Sequence, residues 1–214
     1  ALPILTPAQA RKGKSLSPHA GLARRGGAAE MSRRPPLADR YRAMTFLELV
    51  NAVRRHGDAL RAEVPAGWMQ GRPLYGGVST ALSLHAAREL TGETRALRSA
   101  MVSFVGPAAG AVQMEAERLR RGRNVSAVRT RLSGEAGPAA ECVFTFADHR
   151  ESALDLVSGL ECPAAAPGPD FEPKPVPDLV PAFMKNFDLV RGRGGWPFSG
   201  GAPEQCVWVR HADP

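Results

Sequence analysis

The stretch Gly71–Gly92, GRPLYGGVSTALSLHAARELTG, opens with turn residues and continues as an uninterrupted run rich in Ala and Leu. That run is about four helical turns long and ends on a glycine, where a C-terminal cap belongs. At 3.6 residues per turn, Val78, Ala81, Leu82, Leu84, Ala86, Ala87 and Leu90 put apolar side chains on nearly every side. Such a helix is expected to be wrapped by its surroundings rather than docked by a single face, and the remaining chain must supply the wrapping.

Four later segments alternate apolar and polar residues, the period of half-buried antiparallel strands: Leu97–Val105, Ala111–Leu119, Val125–Leu132 and Ala140–Ala147. Turns at Gly106-Pro107, Gly122 and Gly134–Pro138 separate them. The pattern predicts an α+β fold in which a strand meander curls around one central helix. Upstream, Thr45 and Glu48 have capping-box spacing for a helix carrying Phe46, Leu47, Leu49, Val50 and Val53, with Gly57 as its end. Leu60–Val64 reads as a first strand leading to Trp68. Downstream, Phe183–Val190 and Gln205–Arg210 read as strands on either side of the glycine-rich segment RGRGGWP.

The net charge of +7 suggests nucleic acid only until it is located. Residues 1–43 hold nine Lys or Arg and two acids, while the rest of the chain holds nineteen of each sign, so the folded part is neutral. The basic leader has no sustained period and no secretory h-region, which predicts a disordered extension or sequence upstream of a start at Met44 over a targeting peptide or nucleic-acid arm. Three widely spaced cysteines, Cys142, Cys162 and Cys206, fit a reducing compartment better than a disulfide framework. No stretch has the apolar length of a membrane span. A soluble, cytoplasmic protein is expected, without cofactor, metal, nucleic-acid or membrane partner.

Three motifs in order, WMQGRPLYGG (Trp68–Gly77), LRSAMVSFVGP (Leu97–Pro107) and RLRRGRNVSA (Arg118–Ala127), followed by PFSGGAPE (Pro197–Glu204) and VWVRH (Val207–His211), resemble the acyl-CoA thioesterases of the double-hotdog type, similar to thioesterase II. The resemblance covers Met44–Pro214. It implies a hotdog fold, one complete repeat at 44–150, a connection at 151–181 whose stretch Pro163–Pro181 holds seven prolines, and the opening strands of a second repeat at 182–214. Judged against that family, the second helix and most of the second sheet are missing, so a truncated protein is expected, its last strands free, paired with the first sheet or paired with another copy.

The resemblance also implies hydrolysis of acyl-CoA by water, with backbone amides of Gly76 and Gly77 holding the oxyanion where unpaired N–H groups and the helix dipole favour negative charge. Trp68 is either a core or lid residue, the commoner role for a Trp at such a place, or a wall of the acyl channel, and it is counted with Tyr75 among the implied substrate-binding residues. Related single-hotdog enzymes carry an acid seven positions beyond the second glycine, and here that position is Leu84, which cannot activate water. The base is then expected in the second repeat. His85 and Glu89, one turn apart, form either a base held by a carboxylate or, more commonly, a satisfied polar patch. Arg120, Arg123 and Asn124, flanking Gly122 with Arg118 and Arg121, either grip the phosphates of coenzyme A or are a solvated charged turn. No hydratase Asp/His pair, GxSxG elbow or dinucleotide fingerprint is present. The expected function is an acyl-CoA thioesterase, and its rival is a non-catalytic hotdog module. Either is expected to form a homodimer.

Overall fold

Thr45 opens the first element with the expected reciprocal cap. In the computed structural model, which describes residues 44–154, 164–168, 179–195, 199–201 and 203–212, the Glu48 N–H donates to Thr45 Oγ1 (3.1 Å) and the Thr45 N–H to Glu48 Oε2 (2.8 Å). Helix α1 then spans Phe46–Asn51 and is capped at Ala52. Gly57 does not end it. Strand β1 (Arg54–His56) intervenes and pairs antiparallel with β2 (Ala59–Val64), Gly57 at φ 62° making the tight turn between them. Arg54 Nη1 satisfies freed carbonyls at the helix end, Asn51 O at 2.6 Å and Val53 O at 3.0 Å.

The central helix α2 runs Gly76–Thr91, with Gly92 at φ 63° donating its N–H to the Arg88 carbonyl. Strands β3 (Ala96–Phe104), β4 (Gly110–Arg121), β5 (Val125–Gly134) and β6 (Gly137–Ala147) follow, close to the bounds their alternation predicts. They complete a six-stranded antiparallel sheet of order β1-β2-β4-β5-β6-β3. One face is apolar and packs on the helix: Val112, Met114, Val128, Leu132, Phe144 and Phe146 meet Val78, Leu82, Ala86 and Ala87. Each large side chain so buried stabilises by about 2 kcal/mol. The opposite face carries Arg129–Glu117 and Arg131–Glu141 ion pairs, the solvated side of an antiparallel sheet.

The sheet wraps one flank of the helix more closely than the other. A sheet curved over one flank of a cylinder leaves the other open, so Ala81, Leu84 and His85 are only half-buried. The edge strand β3 leaves Leu97 and Phe104 exposed beside them, and Met101, which pairs with Val143, exposed on the opposite face of the sheet.

The last strands, β7 (Phe187–Gly194) and β8 (Gln205–His211), pair with each other in a separate two-stranded sheet rather than with the first. The expected strand at Phe183–Val190 is corrected at both ends: Ala182–Asn186 is a 3-10 turn, and Arg191–Gly194 continue the strand. Hydrogen bonds explain the turn, because the Phe183 N–H donates to Met69 O (3.2 Å) and Asn186 Nδ2 to Gly67 O (2.9 Å), tying it to the loop before α2. The basic extension 1–43, most of the proline-rich connection, Cys162 and Trp196–Phe198 lie outside the described residues. Among the described residues, no helix is long and apolar enough to cross a membrane.

Candidate functional site

The start of α2 is positioned by its own loop. Leu74 N–H donates to Ala108 O (2.8 Å) and Tyr75 N–H to Trp68 O (2.9 Å), which fixes Tyr75 as the residue preceding the helix. No side chain caps this end. The Val78 and Ser79 amides both turn back to the Tyr75 carbonyl (3.0 and 3.2 Å), whereas Gly76 and Gly77, the first two helical residues, have no carbonyl one turn behind them in the helix. Two aromatic rings lie directly on these glycines. A Cβ on Gly76 would stand 2.8 Å from Phe104 Cζ, and one on Gly77 would run into the Tyr75 ring. Tyr75 is itself stacked on Phe183, centroids 4.1 Å apart and planes 7° from parallel.

Two apolar hollows meet here. One, of about 580 Å³, runs from Gly76 and Gly77 past Thr80 and Leu84 to Leu97 and Phe144. The other, of about 470 Å³, runs from Gly76 past Leu74 to Val105 and Ala139. Gln70, Gly76 and Phe104 line both. Among the described residues, none of those lining either hollow is Asp, Glu or His. Leu84 is in the hollow, where its side chain offers no proton acceptor. The arrangement can seat an apolar chain and present two amides to a polarised oxygen, but it contains no general base.

Trp68 is elsewhere. It is 1% exposed, its Nε1–H donates to Met44 O (2.8 Å), and Phe46, Phe187 and His211 surround its ring. It is a core anchor joining α1 to the C-terminal hairpin, and it lines neither hollow. His85 is half-buried and Glu89 exposed, with no hydrogen bond or ion pair joining them among the described residues.

Arg120, Arg123 and Asn124 are exposed and lie near the other end of α2, roughly 20 Å from Gly77 at 1.5 Å per residue. The structure thus does not bring them together with the glycines within this domain. A bulge between Arg118 and Arg120 interrupts the register of β4 on β5, and Arg118 Nη2 donates to the Thr91 carbonyl at the helix end. Beside it, Arg95 Nη2 donates to the Arg123 carbonyl (3.2 Å) and Arg95 Nε pairs with Asp148 (3.2 Å).

Glu93, which the sequence does not single out, is the buried acid of this cluster. The Ser126 hydroxyl donates to Glu93 Oε2 and the Arg95 N–H to Oε1 (3.1 Å). Burial alone would push its pKa up, but these bonds and the Arg95 and Arg118 charges outweigh it and hold the carboxyl below its ordinary value. The buried Cys142 thiol, between Ser83 and Thr130, is pushed up chiefly by burial, as befits a core residue rather than a nucleophile.

Residues 64–147, most of the sheet together with α2, match a family described as the acyl-CoA thioesterase N-terminal domain. The segment is similar to an acyl-CoA thioesterase N-terminal domain, and its architecture is the hotdog fold. Solved structures agree on the architecture. A hotdog-fold protein of unknown function from Alicyclobacillus acidocaldarius is similar at 19% identity and a TM-score of 0.59, over 69% of this chain and 55% of that one. A candidate thioesterase II from Thermobifida fusca is similar at 22% identity and 0.53, over 69% and 56%. The tesB protein of Mycobacterium avium subspecies paratuberculosis is similar at 19% identity and 0.53, over 70% and 54%. At such identities the likeness establishes the hotdog fold, and the chain spans a little over half the length of each of these proteins. No curated protein sequence matches the chain. The residues that sequence reading missed in this hotdog domain are Phe104, Leu97, Gln70 and Glu93. For Phe104 the signal was partial: β3 alternates Ala100, Val102 and Phe104 on the face that also carries the apolar partners on β6, but nothing local marks it as an edge strand.

Proposed function

We propose that this domain binds acyl-CoA thioesters with the thioester carbonyl at the start of α2 and takes part in their hydrolysis to free acid and CoA. One observation carries the proposal: the unpaired Gly76 and Gly77 amides open onto an apolar hollow. Amides at a helix N-terminus stabilise a developing oxyanion best where water is excluded, and glycine lets the carbonyl approach the backbone closely. Arg120 and Arg123 lie roughly 20 Å from these amides along α2. That is about the length of an extended pantetheine arm, so their position is compatible with contact to CoA phosphate as well as with a solvated turn.

Water attack also needs a base, and Leu84 stands where the chain would place one. We therefore assign the activating carboxylate to a second hotdog unit packed against this one. The exposed apolar edge, Leu97, Met101 and Phe104 on β3, supports such packing, since an unpaired apolar edge strand is a template for association. Leu84 equally favours a second reading, a binding module that dimerises without catalysis.

Free thiol release from acyl-CoAs of varied length, measured alongside melting temperature and light-scattering mass, separates the readings. Binding with turnover supports the hydrolase, and binding by a dimer without turnover supports the module. Acyl-CoA that stabilises the protein no more than CoA alone, together with a monomeric mass, would sink both.

A further inference from the structure

We infer that Phe104 sets the length of acyl chain this site accepts, as a movable partition between the two hollows that meet at Gly76. The ligand class rests on the function proposed above, whereas the partition rests on geometry. Gln70, Gly76 and Phe104 are the residues common to both hollows, so whatever separates the 580 Å³ space from the 470 Å³ one must be built from them. Of the three, only Phe104 has a side chain lying on the Gly76 backbone, close enough that even a methyl group there would strike its ring tip at 2.8 Å. Each hollow alone has the size of a small-molecule pocket.

The two rings flanking the glycines differ in freedom. Tyr75 is half-buried, stacked on Phe183 and edge-on to Phe187 at 6.0 Å, so turning it breaks ring contacts on two sides. Phe104 is 63% exposed, sits at the end of the edge strand and has no ring partner among the described residues. A change of its side-chain rotamer gives up little more than its contact with Gly76. With the ring across Gly76, a chain whose carbonyl is at the helix start fills one hollow. With the ring swung out, the chain continues into the second.

The test compares the full chain with Phe104→Ala and Phe104→Leu, titrating straight-chain acyl-CoAs and free fatty acids of increasing length and reading affinity. In the unmodified protein, the gain in affinity per methylene should drop towards a plateau once one hollow is full, because further chain must displace the ring from Gly76. Phe104→Ala should keep gaining over about two further methylenes, raising its long-to-short preference roughly tenfold, with Phe104→Leu between. An identical plateau in all three proteins overturns the inference while leaving acyl-CoA binding standing. A length shift seen with fatty acids but no binding of any acyl-CoA supports the partition and removes the thioester reading. No binding of either ligand class overturns both.

Discussion

At its C-terminal end α2 finds its partners inside the chain. Gly92 caps it, Arg118 bonds its Thr91 carbonyl, and Arg95, Ser126 and Glu93 close a charged cluster around the β4–β5 hairpin. At its N-terminal end the same helix has no side-chain cap, two glycines and walls of Phe104, Leu97 and Phe144. One end consumes its polar groups in holding the fold. The other leaves amides unused in an apolar setting, where an added oxygen gains most from them. Charge density alone would have pointed to the arginine-rich end, yet that is where the protein is busy with itself.

That contrast can be broken from either side. Trp68→Ala should be the most damaging change, because it removes the buried ring packed against Phe46, Phe187 and His211 and the indole N–H that donates to the Met44 carbonyl; a loss of about 4 kcal/mol in denaturant unfolding is expected. Glu93→Ala should follow at about 3 kcal/mol, since it leaves the buried Ser126 hydroxyl and the Arg95 N–H without their acceptor and removes the charge facing Arg95 and Arg118, with acyl-CoA affinity unchanged in the folded protein. If that variant instead loses ligand while keeping its fold, the division of labour between the ends is wrong.

Acidity should expose the same group. The folded-state pKa of Glu93 lies below its ordinary 4.5, so its stabilising contribution is complete above that value and is lost as pH falls through the lower, folded value. The fall in melting temperature below pH 4.5 should accordingly be shallower in Glu93→Gln than in the unmodified protein.

At the opposite end, Leu84→Asp places a carboxylate in the hollow beside Gly77. About 1–2 kcal/mol of stability should go with the half-buried leucine, and thiol release from acyl-CoA should rise above that of the unmodified chain. Unchanged release with retained binding would show that the hollow seats the thioester in a pose the new carboxylate cannot serve. The smallest effects belong to Arg120→Ala and Arg123→Ala. Being exposed, they should move stability by no more than about 0.5 kcal/mol. Contact with a bound phosphate would weaken acyl-CoA binding severalfold at low salt and much less at high salt. No change at either salt leaves these arginines as solvated charge.

Where local pattern decided the structure, the sequence could be read closely. Thr45 and Glu48 cap as spaced, Gly92 ends α2, and the meander β4-β5-β6 has its turns where glycine and proline put them. Where distant pairing decided, it could not. Arg54–His56 carries no apolar alternation and is a strand only because β2 turns back onto it. Phe183 resembles a strand residue but is held in a turn by the Met69 carbonyl. The site divides the same way. The glycines were visible because helix starts are local, whereas choosing between Trp68 and Phe104 as the wall required the sheet order: β3 lies at the edge beside β6, and the Trp68 ring is closed in by residues far along the chain.

The same sheet order has a consequence in time. Strands β4, β5 and β6 zip through short hairpins, but β3 precedes them in sequence and must wait for the last of them, Phe104 joining Ala140 and Ala96 joining Ala147. Non-local pairings of this kind close late in folding and are the first to open in the native state. The strand that carries the partition is thus a late arrival in the sheet, as is β2, whose Leu60 pairs with Met114. The amides of β3 should exchange with solvent ahead of those of its neighbours, and the newly made domain should acquire a selective site only after the rest of its core is in place.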